Sequence, residues 1–239
     1  MKFEDIRKLH QRKYREEFGS FLVEGEHLVL ELQKAAAANL SLQQCELYVT
    51  RDREQWRSPF TTHVVTEAQM ARLSDTRTPQ GIVARVPILP TTPAQTGERA
   101  IYLHEIQDPG NLGTILRTLA WFGNLRCLLG PGSVDPHNSK AIRASMGAIF
   151  HVPFESDVPM ETLRTRFGRV AALDLRGEAV CSAAFGGFDC YLFGNEARGL
   201  PADLVAALRP VSFTINGSGM IESLNLASSV TIAVYELTR

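Results

Sequence analysis

Three short stretches carry the residue types from which a ligand site is built: HEIQDPGNLGTILRT (104–118), YLFGNEARGLP (191–201) and TINGSGMIESLNLASS (214–229). Each sets glycine, amide, hydroxyl or charged side chains directly after an apolar, strand-like run. In an open α/β sheet the carboxyl ends of parallel strands leave a crevice lined by backbone groups and helix N-termini, and ligands bind there. Glycine admits close approach to the backbone, while asparagine, serine, glutamate and arginine supply donors, acceptors and charge. The chain therefore reads as an enzyme rather than a scaffold.

Several chemistries lose their support. The first stretch has Gly110 and Gly113 but matches neither the dinucleotide fingerprint GxGxxG nor the phosphate loop GxxxxGK[ST]. Histidines 104, 137 and 151 form no metal or nucleophile constellation, and Cys45, Cys127, Cys181 and Cys190 include no CxxC pair, so reduced structural thiols are expected and no metal.

The chain has 239 residues, 44% of them hydrophobic and 21% charged, which is enough for an ordinary core and one or two domains. Its net charge of −1 makes it no bulk polycation, so any nucleic acid must be held by local patches. Arginine outnumbers lysine 20 to 5; the guanidinium fork suits phosphate, but the arginines are scattered, as a GC-rich coding sequence would also leave them. The opening segment gathers Lys2, Arg7, Lys8, Arg12, Lys13 and Arg15 against two acids, Glu4 and Asp5, a charge density fit to track a phosphate backbone or simply a solvated helix face. Tyr14 and Phe18 stand ready either to stack on bases or to anchor that helix to its own core. With no apolar run near the roughly 20 residues of a membrane span and no signal-peptide core at the start, a cytoplasmic protein is expected.

The elements that must position these residues follow from pattern. VPILPTTPAQTGER (86–99) has three prolines and no helical period and reads as an extended connection, which divides the chain into residues 1–90, a linker at 91–98 and residues 99–239. Upstream the pattern gives a basic helix (3–15), a strand (20–25), a helix (26–38), strands at 45–50 and 63–66, a helix opened by the capping-box pair Thr66 and Gln69, a polar loop SDTRTPQG (74–81) and a closing strand. Downstream, strands at 101–106, 126–130, 151–154, 169–175, 190–195 and 211–215 alternate with helices at 111–122, 139–146, 160–166, after Pro201 and from Ser223. That alternation means a parallel α/β sheet covered on both faces.

Taken together, DPGNLGTILRT, FGNEARGL and INGSGMIESLNLASS resemble the three motifs of the SpoU (TrmH-like) branch of the SPOUT RNA methyltransferases, helped by SKAIRASMGAIFHVPF (139–154), and RKYREEFGSFLVEGEHLV (12–29) looks like that family's ribosomal-protein-like substrate-binding domain. The resemblance implies a C-terminal SPOUT domain with a deep trefoil knot, against the general rule that chains do not knot. It further implies S-adenosylmethionine as methyl donor, a ribose 2'-hydroxyl of RNA as acceptor, with ribosomal RNA favoured over transfer RNA, and a homodimer whose site is completed near the subunit interface. By the same resemblance Gly194, Ile215 and Leu224 hold the donor through backbone groups, with Ser218 and Met220 in the same loop, while Arg117, Asn111, Glu196, Ser223 and Asn225 occupy the catalytic positions.

Methyl transfer to a ribose hydroxyl is an in-line displacement in which the oxygen must be aligned and lose its proton. No metal is required, since the sulfonium supplies the leaving group. A guanidinium with a pKa above about 12 is a poor base, so Arg117 is read as stabilising charge on oxygen, with Asn111, Asn225 and Glu196 orienting the groups around it. Bland roles remain beside these: Asn111 and Ser223 as helix caps, Glu196 with Arg198 as a loop pair, Arg117 as an exposed helix position. The family usually has proline where this chain has Asn216, which loosens the loop carrying Ile215 without deleting a reactive group. The alternatives are a noncatalytic RNA-binding member of the fold and, further off, a methyltransferase for a small molecule or protein.

Overall fold

Apolar runs punctuated by glycine and polar turns condense into two sheets. The computed structural model describes every residue except 93, 95 and 96, so the middle of the expected linker lies outside the described residues. The chain divides into one unit made of Met1–Pro90 with Asp135–His151 and a second made of Thr91–Val134 with Val152–Arg239. In chain order the elements are α1 (Phe3–Lys8), α2 (Arg12–Phe18), β1 (Ser20–Glu24), α3 (Glu26–Ala38), β2 (Glu46–Val49), β3 (Thr61–Val64), α4 (Glu67–Leu73), β4 (Ile82–Pro87), β5 (Arg99–Leu103) and α5 (Pro109–Phe122). There follow β6 (Leu125–Leu129), α6 (Ser139–Ser145), β7 (Phe154–Glu155), α7 (Leu163–Arg166), β8 (Val170–Ala179), β9 (Cys190–Phe193), α8 (Ala202–Leu208), β10 (Val211–Thr214) and α9 (Leu226–Thr238).

The first unit carries a four-stranded sheet in the order β1-β4-β2-β3, with β4 antiparallel to both neighbours and β3 parallel to β2. The capping box forms as the spacing predicts: Gln69 N donates to Thr66 Oγ1 at 3.2 Å and Thr66 N to Gln69 Oε1 at 2.9 Å. Glu24 shapes the 74–81 loop, its carboxylate accepting from Asp75 N at 3.0 Å and Thr76 Oγ1 at 2.6 Å as well as from Ser74 Oγ.

The expected basic helix over 3–15 is instead two short helices broken at Leu9–Gln11, where Gln11 is extended. Arg15 explains the break. Only 6% exposed, it donates from Nη1 to Leu9 O at 2.7 Å and His10 O at 2.8 Å, satisfying carbonyls at the end of α1, and from Nε to Asp135 Oδ2 at 2.9 Å. Arg15 is therefore lost to any phosphate-tracking surface. Tyr14 and Phe18 stack on each other at 5.9 Å, Phe18 packing on the core cluster around Ile6 and Leu9, while Lys8 and Lys13 sit over the Tyr14 ring.

The second unit is a six-stranded, wholly parallel sheet in the order β10-β8-β9-β5-β6-β7. β9 lies between β8 and β5, so the ends of β5 and β9 are neighbours although 90 residues separate Leu103 from Phe193 in register. Tyr102, Leu128, Leu163, Ala172 and Leu192 are buried in its core. α9 buries Leu226, Ala227, Val230, Ala233, Val234 and Leu237, as its apolar middle requires. Thr118 and Thr231 join α5 to α9 by a hydroxyl pair at 2.9 Å. All four cysteines are free; burial pushes the Cys127 thiol up to about 12, and Cys181 is exposed. Among the described residues no helix is long and apolar enough to cross a membrane.

The Asp135 carboxylate also accepts from His137 N at 2.8 Å, and the His137 ring packs on Phe21 at 4.6 Å. Burial pushes the His137 pKa down to about 4, Arg15 acting in the same direction and Asp135 against it. Because the folded value lies below that of the unfolded chain, this contribution to stability is complete above about pH 6.5 and is lost as pH falls toward 4. Denaturant titrations at pH 7 and pH 5 should show wild type losing about 1–2 kcal/mol more than His137→Gln over that interval.

Candidate active site

All the predicted site residues belong to the second unit. The first loop leaves β5 at His104 and enters α5, whose N-cap is Asp108: its Oδ1 accepts from Asn111 N at 2.7 Å, with Pro109 as the first helical residue. A Cβ at Gly110 would stand 2.9 Å from that same oxygen. The cap is thus Asp108, which frees the Asn111 side chain from capping.

Asn111 uses its freedom. Its Nδ2 donates to Glu196 Oε1 at 3.1 Å, and its Oδ1 accepts from Asn225 Nδ2 at 2.9 Å. Asn225 is itself the N-cap of α9, its Oδ1 accepting from Ala227 N at 2.9 Å and Ser228 N at 3.3 Å. One hydrogen-bonded line, Asn225 to Asn111 to Glu196, therefore joins all three sequence stretches. The last helix begins at Leu226 rather than Ser223 because Asn225 takes the capping position.

The second loop is closed on itself. Asn195 and Gly199 exchange backbone hydrogen bonds at 3.0 and 2.9 Å, and the Asn195 side chain, in a residue only 7% exposed, accepts from Ala197 N and Arg198 N while donating to Glu105 O at 2.9 Å. At Gly194 an added Cβ would lie 2.4 Å from the Gly199 carbonyl carbon and 2.7 Å from Leu200 N, so only glycine fits. Gly194 presents backbone at the C-terminal end of β9, as a ligand cradle requires.

Other predicted residues stand apart from this line. Arg117 is exposed on α5 and among the described residues has no hydrogen-bond or ion-pair partner. Ile215 is half-buried just past β10, and Ser218, Met220, Ser223 and Leu224 lie exposed in the irregular segment 216–225, together with Asn216. Met220, at 85% exposure, offers an uncovered apolar surface. Among the described residues His104 Nδ1 is buried without a hydrogen-bond partner. Sequence reasoning missed Asp108, Asn195 and Glu105; Asn195 had a signal in its place between Gly194 and Glu196, and Asp108 in the Asp-Pro pair that opens helices.

Asn225 separates two functions of one side chain. Asn225→Ala removes both the cap and the link to Asn111 and should lower stability by about 1 kcal/mol in denaturant unfolding. Asn225→Asp keeps an accepting oxygen for α9 and should stay within about 0.5 kcal/mol of wild type while losing the donor to Asn111.

Comparison with known proteins places this geometry. A family model described as the SpoU rRNA Methylase family matches residues 98–235, and one described as the MRM3-like substrate binding domain matches residues 2–84. The 23S rRNA (guanosine(2553)-2'-O)-methyltransferase RlmP of Bacillus subtilis is 31% identical over 99% of this chain and 95% of its own. A TrmH-family protein from Porphyromonas gingivalis superposes with a TM-score of 0.83 at 30% identity, covering 98% of this chain and 96% of that one. An AdoMet-bound rRNA methyltransferase from Sinorhizobium meliloti gives 0.81 at 26% identity, with coverage of 98% and 93%.

Proposed function

Because the chain belongs to the SpoU rRNA methylase family, we propose that it transfers a methyl group from S-adenosylmethionine to a ribose 2'-hydroxyl of RNA, ribosomal RNA being the substrate. The observation that carries this reading is the line from Asn225 through Asn111 to Glu196, which gathers three distant loops at one end of a parallel sheet. Residues 99–239 would hold the chemistry and residues 1–90 the RNA.

The residues fit the donor. Gly194, with the Gly199 and Leu200 backbone packed against it, brings main-chain groups close together at the end of β9; among the described residues His104 Nδ1 is left without a partner, and Met220 and Leu224, exposed on the same loop as Ile215 and Ser218, offer apolar cover. When bound, the donor's sulfonium supplies both the methyl group and the leaving group. The protein's own part is positioning. Arg117, exposed and with no partner among the described residues, is available to hold a phosphate or the ribose oxygen as negative charge develops there. Asn111 and Asn225 set the edge against which the sugar is oriented, Ser223 adds a hydroxyl on the same loop, and Glu196 fixes the Asn111 amide. The 2'-hydroxyl proton leaves to water or to a phosphate oxygen.

The enzyme acts as a homodimer. Trp121 follows Arg117 by one helical turn on the same face of α5 and is 85% exposed, and beside it Phe122 meets the half-exposed Tyr235 of α9 edge-on at 6.4 Å. An uncovered indole of this kind is the type of surface a second protomer buries. Such a partner would cover Trp121 and enclose Arg117.

With labelled donor and total cellular RNA, wild type should yield 2'-O-methylated nucleotides at a defined site in ribosomal RNA. Arg117→Ala should lower kcat/KM by about 10²- to 10³-fold with donor affinity and thermal unfolding unchanged; equal activity in that variant would remove Arg117 from the reaction. In sedimentation equilibrium wild type should be a dimer and Trp121→Glu a folded monomer, and a wild-type monomer at micromolar concentration would refute the interface.

A further inference from the structure

Glu105 adopts a left-handed conformation, φ +47°, which a residue bearing a Cβ disfavours. Strain of this kind persists only where the surroundings over-determine it. Here they do. The Glu105 carbonyl accepts from Asn195 Nδ2 and from Gln107 Nε2, each at 2.9 Å, and its carboxylate pairs with the Arg198 guanidinium. Gln107 Nε2 also donates to Gly132 O at 2.9 Å, so one turn ties together the loops that follow β5, β6 and β9.

The same Asn195 amide closes the 195–199 loop, and that closure presses Gly199 and Leu200 against Gly194. We propose that Asn195 and Glu105, with Arg198, form a clasp that shapes the donor cradle at Gly194 before the donor arrives. They are positioning residues: none of the three needs to touch the donor. Without the clasp the loop would have to be ordered at the moment of binding, and donor affinity would fall by that ordering cost. The left-handed turn is what lets one carbonyl face two side-chain amides while its carboxylate reaches Arg198. The inference rests on donor binding at Gly194, as proposed above.

The test uses the full chain and isothermal titration with S-adenosylmethionine and with S-adenosylhomocysteine, beside thermal unfolding and RNA binding. Asn195→Ala should weaken donor binding by about tenfold, and Glu105→Gly and Arg198→Ala by about threefold each, while the Asn195→Ala/Glu105→Gly pair should bind no worse than Asn195→Ala alone, since both open one clasp. Glu105→Gly should also unfold at or above the wild-type temperature, because glycine accepts the left-handed turn. RNA affinity and kcat at saturating donor should stay at wild-type values, which a general loss of structure would not allow. The clasp is overturned if Glu105→Gly and Arg198→Ala bind donor within twofold of wild type, or if the effects of the pair multiply. These two variants keep the test decisive should Asn195→Ala fail to fold. No donor uptake by folded wild type would instead overturn the functional reading, and the clasp with it.

Discussion

The site depends on a single amide with no freedom in how it is oriented. Glu196 contributes a carboxylate, which only accepts, so the nitrogen of Asn111 must face it; the oxygen of Asn111 must then face Asn225 and needs a donor there. Asn225 therefore turns its nitrogen toward Asn111, which leaves its oxygen for the backbone N–H groups of Ala227 and Ser228, and those can only donate. Each assignment forces the next, from the carboxylate on the second loop to the N-terminus of α9. Aspartate at 111 would lose the donor and set a second negative charge beside Glu196. An alanine would cut the side-chain bonds from Asn111 to the second and third loops, leaving the first and second joined through Glu105 and the sheet they share.

That sheet is what makes so slender a connection sufficient. β5 and β9 are adjacent and parallel, with Ala100 to Leu103 paired to Cys190 to Phe193, so the first and second loops start from fixed neighbouring points. α9, which carries the third loop's end, is packed on α5, which carries the first. Side-chain hydrogen bonds add direction to loops whose roots are already held. At residues 98, 126 and 155 a different solution serves: Arg126, almost wholly buried, is neutralised by Glu98 at 3.1 Å and Glu155 at 3.2 Å. A buried cation so paired anchors strands but can offer nothing to a substrate.

Much of this was legible in the sequence, and the parts that were not share a cause. The parallel α/β pattern, α3 between Glu26 and Ala38, the Thr66–Gln69 box and the gathering of three motifs all arise from local signals of period, capping and glycine placement. The errors lie where a distant partner decides. Nothing between residues 3 and 15 announces that Arg15 will cap α1 and meet Asp135, 120 residues away, yet that contact breaks the expected helix in two. Asn111 looked like a cap because amides cap helices; only the structure shows Asp108 in that place, and the bond to Glu196 across 85 residues. Glu105 carries no sequence sign of a left-handed turn, since its conformation is imposed by Asn195 and Gln107.

Two arginines show how the same side chain takes opposite parts. Arg15 has its donors spent on Leu9 O, His10 O and Asp135, and its guanidinium is sealed from water; exchanging it for another residue would strand a buried carboxylate, so its role is to hold the first unit together. Arg117 has none of its donors spent on a described partner, and it stands in water on the outer face of a helix whose other face buries Leu112, Ile115, Leu116 and Leu119. A guanidinium keeps its charge in either setting. What differs is the cost of bringing an anion to it: at Arg15 a carboxylate must first be displaced, at Arg117 only water. Under the proposed function, recognition of a phosphate or a developing alkoxide therefore falls to Arg117 rather than to Arg15. That no described residue pairs with Arg117, which in a stability argument would mark it as dispensable, is the property that suits it to the ligand role proposed for it.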